Sequence, residues 1–83
     1  MTEQQILDAL AVAIAEEIGA KGVIVTRDTQ AADIGGWDSM GHGRIIANLE
    51  DALGVELDMD RAFAIANVGE LVDLVREAII ARA

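Results

Sequence analysis

The chain predicts an all-α fold: a small four-helix bundle, three main helices plus one short helix, with a long first loop. Three observations carry that expectation. Apolar residues recur at three- and four-residue steps in three separate segments, the spacing that gathers side chains on one helical face. The apolar content is 53% yet almost wholly aliphatic, with Trp37 and Phe63 the only aromatics, and such residues suit closely packed helices. No proline interrupts any segment, so glycine alone punctuates the loops.

The first helix runs from Glu3 to Ile18, with Ile6, Leu7, Leu10, Ala13, Ile14 and Ile18 on its apolar face. Thr2 caps it and Gly19 ends it. From Gly19 to Asp38 the periodicity lapses. Val23-Ile24-Val25-Thr26 has strand propensity, but no second strand is evident, and a lone strand leaves backbone groups unsatisfied. The stretch therefore reads as a long loop whose apolar residues tuck beneath the helices, and loops of that length are usually functional. The second helix spans Ser39 to Leu53, with Met40, Ile46, Leu49 and Leu53 inward and Glu50 and Asp51 outward. Gly41 and Gly43 in its first turns each cost about 1 kcal/mol relative to Ala. Close packing against a neighbouring helix, or access for a partner or prosthetic group, accounts for them equally well. Gly54 ends this helix, and Val55-Glu56-Leu57-Asp58 connects to a short helical turn over Met59 to Ile65, capped by Asp58 or Asp60. The last helix spans Val68 to Ala81, with Val68, Leu71, Val72, Val75 and Ile79 inward and Asn67 as its cap.

Eighty-three residues make one small domain, 1–83. A chain of that size buries only roughly 60% of its unfolded surface, so its stability depends on efficient helix packing. The absence of cysteine excludes disulfides, thiolate nucleophiles and thiolate metal sites, and is compatible with a cytoplasmic protein. The net charge of −9 repels phosphate backbones and argues against nucleic-acid binding. It complements a basic partner, and equally it keeps a small domain soluble. Met1-Thr2-Glu3-Gln4-Gln5 lacks the basic region of a secretory signal, and no apolar run approaches the ~20 residues that span a bilayer. A soluble cytoplasmic monomer is expected.

The chemistry concentrates at Gly35-Gly36-Trp37-Asp38-Ser39-Met40. A glycine pair loosens the loop, and Asp-Ser before a periodic apolar run marks a helix N-terminus. Ser39 is thereby held on a rigid element with its hydroxyl open to a partner enzyme. His42 lies within one helical turn of it, but a hydrolase also needs an orienting acid, an oxyanion hole and a pocket, and a bundle this small has little room for them. His42 is expected on the solvated surface. Asp58-Met59-Asp60 lacks the length and closing glutamate of a calcium loop, so no metal site is expected. Glu50, Asp51, Glu56, Asp58 and Asp60 form an acidic cluster, either a solvated face or a docking patch. Ser39 reads as a modification site.

Gly36-Trp37-Asp38-Ser39-Met40, followed by Ile45-Ile46-Ala47-Asn48-Leu49-Glu50-Asp51-Ala52-Leu53-Gly54-Val55-Glu56-Leu57, resembles the acyl carrier protein family. That family shows an Asp-Ser-Leu core, an aliphatic helix ending in acidic residues, then Phe/Leu-Gly-Val and an acidic-apolar pair. The first helix, the long loop and Val68-Gly69-Glu70-Leu71 fall in register, so the resemblance covers nearly the whole chain. It implies a non-catalytic carrier whose Ser39 receives 4′-phosphopantetheine from coenzyme A, delivered by a separate phosphopantetheinyl transferase. The arm's terminal thiol then holds an acyl or aminoacyl chain as a thioester, which suits a cysteine-free protein. By the same resemblance Asp38 helps position magnesium and coenzyme during transfer. Met40, Gly43, Arg44, Ala47, Glu50 and Asp51 would form the docking face for loading and downstream enzymes of fatty-acid, polyketide or related biosynthesis.

The chain departs from the family pattern at that face. Arg44 stands where an acid is common, and Gly43 and Ala47 where larger apolar residues are usual. His42 and its flanking glycines are atypical of fatty-acid carriers. A reversed charge weakens recognition by enzymes adapted to an acidic helix, so a specialised carrier for polyketide, aminoacyl or surface-polysaccharide assembly is expected rather than a housekeeping one. The start at Met1 and the self-capped helices favour a free-standing carrier over a domain of a larger synthetase. The competing class is an acidic helical interaction module that is never modified.

Overall fold

Helix α1 (Glu3–Ile18) begins at a reciprocal cap. The Thr2 hydroxyl accepts from the Gln5 N–H (3.1 Å) while Gln5 Oε1 accepts from the Thr2 N–H (2.8 Å), satisfying two amides that a bare helix end leaves open. The helix stops at Gly19, whose φ of 70° is the left-handed conformation that glycine adopts without a Cβ penalty. Three further helices follow in the computed structural model: α2 (Ser39–Leu53), α3 (Met59–Phe63) and α4 (Val68–Arg82). The structure describes residues 1–82; Ala83, included in the expected domain, lies outside the described residues. Among these, no strand forms, and the all-α expectation holds. Of the two candidate caps for α3, Asp58 serves, accepting from the Arg61 N–H (3.3 Å). The short helix closes at Phe63, two residues before its expected end at Ile65.

The core lies between α1, α2 and α4. Ile6, Leu10 and Ile14 of α1 meet Ile45, Ile46 and Leu49 of α2, and Leu71, Val72 and Val75 of α4 close the third side, all fully buried. Each such side chain contributes about 1.5–3 kcal/mol by leaving water. Val55 and Leu57 of the connector and Ala62 of α3 cover the end. The inward stripe of α2 differs from the expected one. Met40 is 74% exposed, because it sits two residues, roughly 200° of helical rotation, from His42, which faces inward. Ile45 joins Ile46 and Leu49 on the buried side instead. Glu50 also turns partly inward, accepting from the Leu57 N–H (2.8 Å) and fixing the connector to α2.

The loop from Gly19 to Asp38 solves its hydrogen-bonding problem without pairing strands. The carbonyls of Thr29 and Arg27 accept from the Val68 (2.8 Å) and Gly69 (2.9 Å) amides, which the start of α4 would otherwise leave unsatisfied. Asn67 Oδ1 takes the next amide, Glu70 N–H (3.0 Å). Gly69 suits this docking, since a Cβ there would crowd the Arg27 carbonyl oxygen at 3.1 Å. The Arg27 guanidinium reaches Asp73 of α4 (3.0 and 3.1 Å) and Glu3 of α1 (2.6 Å). These bonds raise the Arg27 pKa and hold the Asp73 carboxyl below the usual carboxylate range. Val25 is buried, and Val23 and Ile34 pack against the core at partial exposure. Ile24, expected beneath the helices with them, projects outward at 84% exposure.

Candidate functional site

The loop enters α2 through Gly36 (φ 94°), where a Cβ would also crowd the Ile18 side chain at 3.1 Å. Trp37 follows, buried, its amide bonded to the Ile34 carbonyl (3.2 Å). Asp38 is the N-cap: Oδ1 accepts from the Gly41 N–H at 2.7 Å, leaving Oδ2 outside the cap. Ser39 is the first helical residue and is exposed. It is also the only serine of the chain. The two glycines of the first turns separate here. A Cβ on Gly41 would sit 3.2 Å from Asp38 Oδ1 and 3.4 Å from the Gly36 carbonyl, so close packing explains that glycine. A Cβ on Gly43 would meet only Phe63 Cζ, at an ordinary 3.5 Å, so packing does not demand it.

His42 is not on the solvated surface. It is 8% exposed, stacked on Trp37 (ring centroids 5.7 Å apart) and edge-on to Phe63 (4.9 Å). Trp37 Nε1–H donates to His42 Nδ1 at 2.8 Å, and His42 Nε2 lies 2.8 Å from the Ala62 carbonyl. An indole N–H can only donate, so Nδ1 is the acceptor and Nε2 carries the proton toward Ala62. The physical reason for burial is helix phase together with an open carbonyl: His42 lies three, four and seven residues before Ile45, Ile46 and Leu49, and its imidazole supplies a donor to a carbonyl at the end of α3 that lacks an intrahelical one. With both nitrogens engaged, His42 gives Ser39 no base. Ser39 presents an exposed hydroxyl at the start of α2.

Beside it opens a cleft of about 480 Å³, between the Gln30–Trp37 loop, the start of α2, and the α3–α4 connection. Ser39, Asp38 and His42 line one side; Phe63, Ile65 and Asn67 line the other. The sequence offers only Asp38, Ser39 and His42 for a chemical role; Asn67 enters there as a helix cap and Phe63 as an aromatic. Nothing local in the sequence ties Phe63, Ile65 and Asn67 to Ser39, since the cleft forms only when the loop and the α3–α4 connection pack together.

The expected docking residues divide. Met40, Ala47 and Asp51 are exposed on α2, and Gly43 is half-buried beside Phe63. Arg44 Nε donates to Glu17 of α1 at 2.8 Å, a bond that raises its pKa. Its charge is therefore offset by α1 instead of standing alone on the helix. Glu50 is drawn inward by Leu57. Of the acidic cluster, Asp58 is committed to its cap. No group of three or more potential metal ligands forms among the described residues.

Similar proteins interpret this arrangement. The family described as "Phosphopantetheine attachment site" matches residues 8–75, a span holding Asp38, Ser39 and the whole cleft. An acyl carrier protein from Guillardia theta is 30% identical over 81 residues, covering 98% of this chain and 100% of the relative. The chain belongs to the acyl carrier protein family. An acyl carrier protein from Exiguobacterium sibiricum is 32% identical over 75 residues, covering 90% of this chain and 95% of its own. The fold matches the solution structure of a holo acyl carrier protein from Geobacter metallireducens with a TM-score of 0.80 at 31% identity, over 93% of this chain and 88% of that one. Members of this family carry cargo and leave catalysis to other enzymes. No helix among the described residues is long and apolar enough to cross a membrane.

Proposed function

We propose that residues 1–83 form one carrier domain whose Ser39 bears 4′-phosphopantetheine as a phosphodiester. The observation that carries this reading is the placement of the chain's only serine, exposed, at the first position of α2 beside the cleft. The residues present fit the group. The Ser39 and Met40 amides sit at the positive end of the α2 dipole without intrahelical acceptors, a setting that favours a phosphodiester. The Asp38 oxygen left outside the cap supports a role in positioning magnesium and coenzyme A while a separate phosphopantetheinyl transferase acts. When attached, the arm supplies the thiol on which acyl or aminoacyl cargo is held as a thioester. Trp37, His42 and Ala62 brace the loop, α2 and α3 against one another, so Ser39 is presented on a fixed frame.

Met40, Gly43, Arg44, Ala47, Glu50 and Asp51 form the docking face for loading and downstream enzymes, with the protein acting as a cytoplasmic monomer. Gly43 and Ala47 leave room on that face for a bulky partner side chain, and the Arg44–Glu17 pair alters its charge pattern. Both favour a specialised polyketide, aminoacyl or surface-polysaccharide pathway over housekeeping fatty-acid synthesis. Efficient chain elongation on the loaded protein by housekeeping fatty-acid enzymes would contradict that assignment.

Intact mass after incubation with coenzyme A, magnesium and a broad-specificity phosphopantetheinyl transferase tests the attachment. A gain of one phosphopantetheinyl group, absent in Ser39→Ala, is expected. No gain from folded, initially unmodified protein across several transferases would favour the unmodified interaction module.

A further inference from the structure

Resting on Ser39 as the attachment residue, we propose that Trp37, His42 and Ala62 form a bolt that closes the core on the side of Ser39, so that a cargo chain carried there stays outside the bundle. An aliphatic chain gains free energy by leaving water, and the apolar refuge closest to Ser39 is the core shared by α1, α2 and α4. The way into it leads through the floor of the cleft. Trp37, His42 and Val68 line the cleft and are buried, while Trp37, Ala62 and Val68 also belong to the core cluster. The seams between these residues decide whether a chain can enter.

Each seam is held by hydrogen bonds. The loop is joined to α2 by the Trp37 indole N–H, which donates to His42 Nδ1, and α2 is joined to α3 by His42 Nε2–H, which donates to the Ala62 carbonyl, both at 2.8 Å. The loop is joined to α4 by the Val68 and Gly69 amides, which donate to the Thr29 and Arg27 carbonyls at 2.8 and 2.9 Å. At the surface, the Arg61 guanidinium reaches Glu77 at 2.8 Å and ties α3 to α4. The Trp37 ring stacked on His42 and the Phe63 ring edge-on to it pack the imidazole in place.

A chain that parted the first two seams would leave the indole N–H and the Ala62 carbonyl without partners in a buried setting, which opposes insertion. Methylene groups carry no donor or acceptor to replace the lost bonds. Beyond the bolt, Ile45, Ile46, Leu49, Leu71 and Val72 are fully buried, and a close-packed interior must rearrange to admit a guest. The balance therefore favours cargo that gains little from an apolar refuge: short acyl groups or polar ones such as aminoacyl. Cargo left outside is also open to a partner enzyme without first being withdrawn from the core.

Methyl ¹H–¹³C spectra of ¹³C-labelled protein test the bolt with an octanoyl chain as the probe. A broad-specificity phosphopantetheinyl transferase loads one sample from octanoyl-coenzyme A and a reference sample from coenzyme A, and intact mass confirms both. In the wild type, the Ile46, Leu49, Leu71 and Val72 methyl signals should coincide between the two forms. In His42→Ala, which removes both bonds of the bolt, the octanoyl chain should shift those signals. Trp37→Phe removes one bond while keeping a ring; it should show part of the shift and carries the comparison if His42→Ala loses its fold. Core methyl shifts in the octanoyl-loaded wild type would overturn the bolt while leaving the attachment intact. Core methyls that stay unshifted in the folded variants would overturn it as well, because closure would then not depend on these residues. A protein that gains no arm by mass overturns both readings.

Discussion

Replacing His42 with Leu keeps a side chain of similar bulk on α2 but removes both imidazole nitrogens. The Trp37 Nε1–H and the Ala62 carbonyl then lose their partners in a region where Trp37 is 7% and Ala62 0% exposed. A buried polar group left unpaired costs about 1–3 kcal/mol, and two of them near the lower end give about 2–3 kcal/mol. The stacked and edge-on ring contacts add about 0.5–1.5 kcal/mol each, partly replaced by aliphatic packing. The expected loss is therefore about 3 kcal/mol. A chain of this length has a total stability of roughly 4–12 kcal/mol, so the variant stays measurably folded only if the wild type lies well above the lower bound. Urea unfolding followed by far-UV circular dichroism reads the loss directly at constant m. Thermal melting should show a drop of roughly 12–24 °C, at ~4–8 °C per kcal/mol. Trp37→Phe, which keeps an aromatic ring but no donor, should lose about 1–2 kcal/mol and couple to His42→Leu in a double-mutant cycle by more than about 0.5 kcal/mol. A loss below about 1 kcal/mol with no coupling would refute the reasoning and return His42 to the solvated surface.

Gly69→Ala sets helix propensity against geometry: Ala favours α4 by about 1 kcal/mol, but its Cβ would lie 3.1 Å from the Arg27 carbonyl oxygen. The clash with backbone should dominate, giving net destabilisation and faster hydrogen exchange at the Val68 and Gly69 amides. Asp38→Ala removes the cap on the Gly41 amide and should cost about 1 kcal/mol in chemical denaturation, while slowing arm transfer more than that loss explains. Asp73→Asn tests the Arg27 bridge by its pH dependence. Because Arg27 lowers the folded-state pKa of Asp73, the contribution is present above the unfolded carboxylate value, near 3.9, and fades as pH falls through the lower folded value. The variant should show a small stability deficit at neutral pH, screened by salt, that fades as pH falls below the unfolded carboxylate value and through the lower folded one. A deficit that grows on acidification would contradict the bridge.

Local rules made the helices legible before any tertiary information. Thr2, Gly19, Asp38, Gly54, Asp58 and Asn67 act through neighbours within five residues, so their capping roles are written in short sequence windows. The position of Ser39 at the start of α2 was legible for the same reason. What escaped was non-local. His42 falls three, four and seven residues before Ile45, Ile46 and Leu49 and so shares their face, but the carbonyl that pairs it lies twenty residues away. Met40 looked apolar and therefore inward, yet the helix phase is set by Ile45, Ile46 and Leu49 meeting α1, which turns Met40 to solvent. Arg44 read as a lone reversed charge because Glu17, its partner, lies on another helix. The cleft joins the loop to the α3–α4 connection, two segments that only the packed bundle brings together.

Attachment of the arm to Ser39 is read most directly from a single peptide. Trypsin cutting after Arg27 and Arg44 releases a peptide from Asp28 to Arg44, which contains two hydroxyl residues, Thr29 and Ser39. Fragmentation of that peptide from the loaded protein localises the phosphopantetheinyl group. Every arm-bearing fragment should include Ser39, and every fragment ending before it should be unmodified. An arm on Thr29, or on a peptide that lacks Ser39, would contradict that attachment.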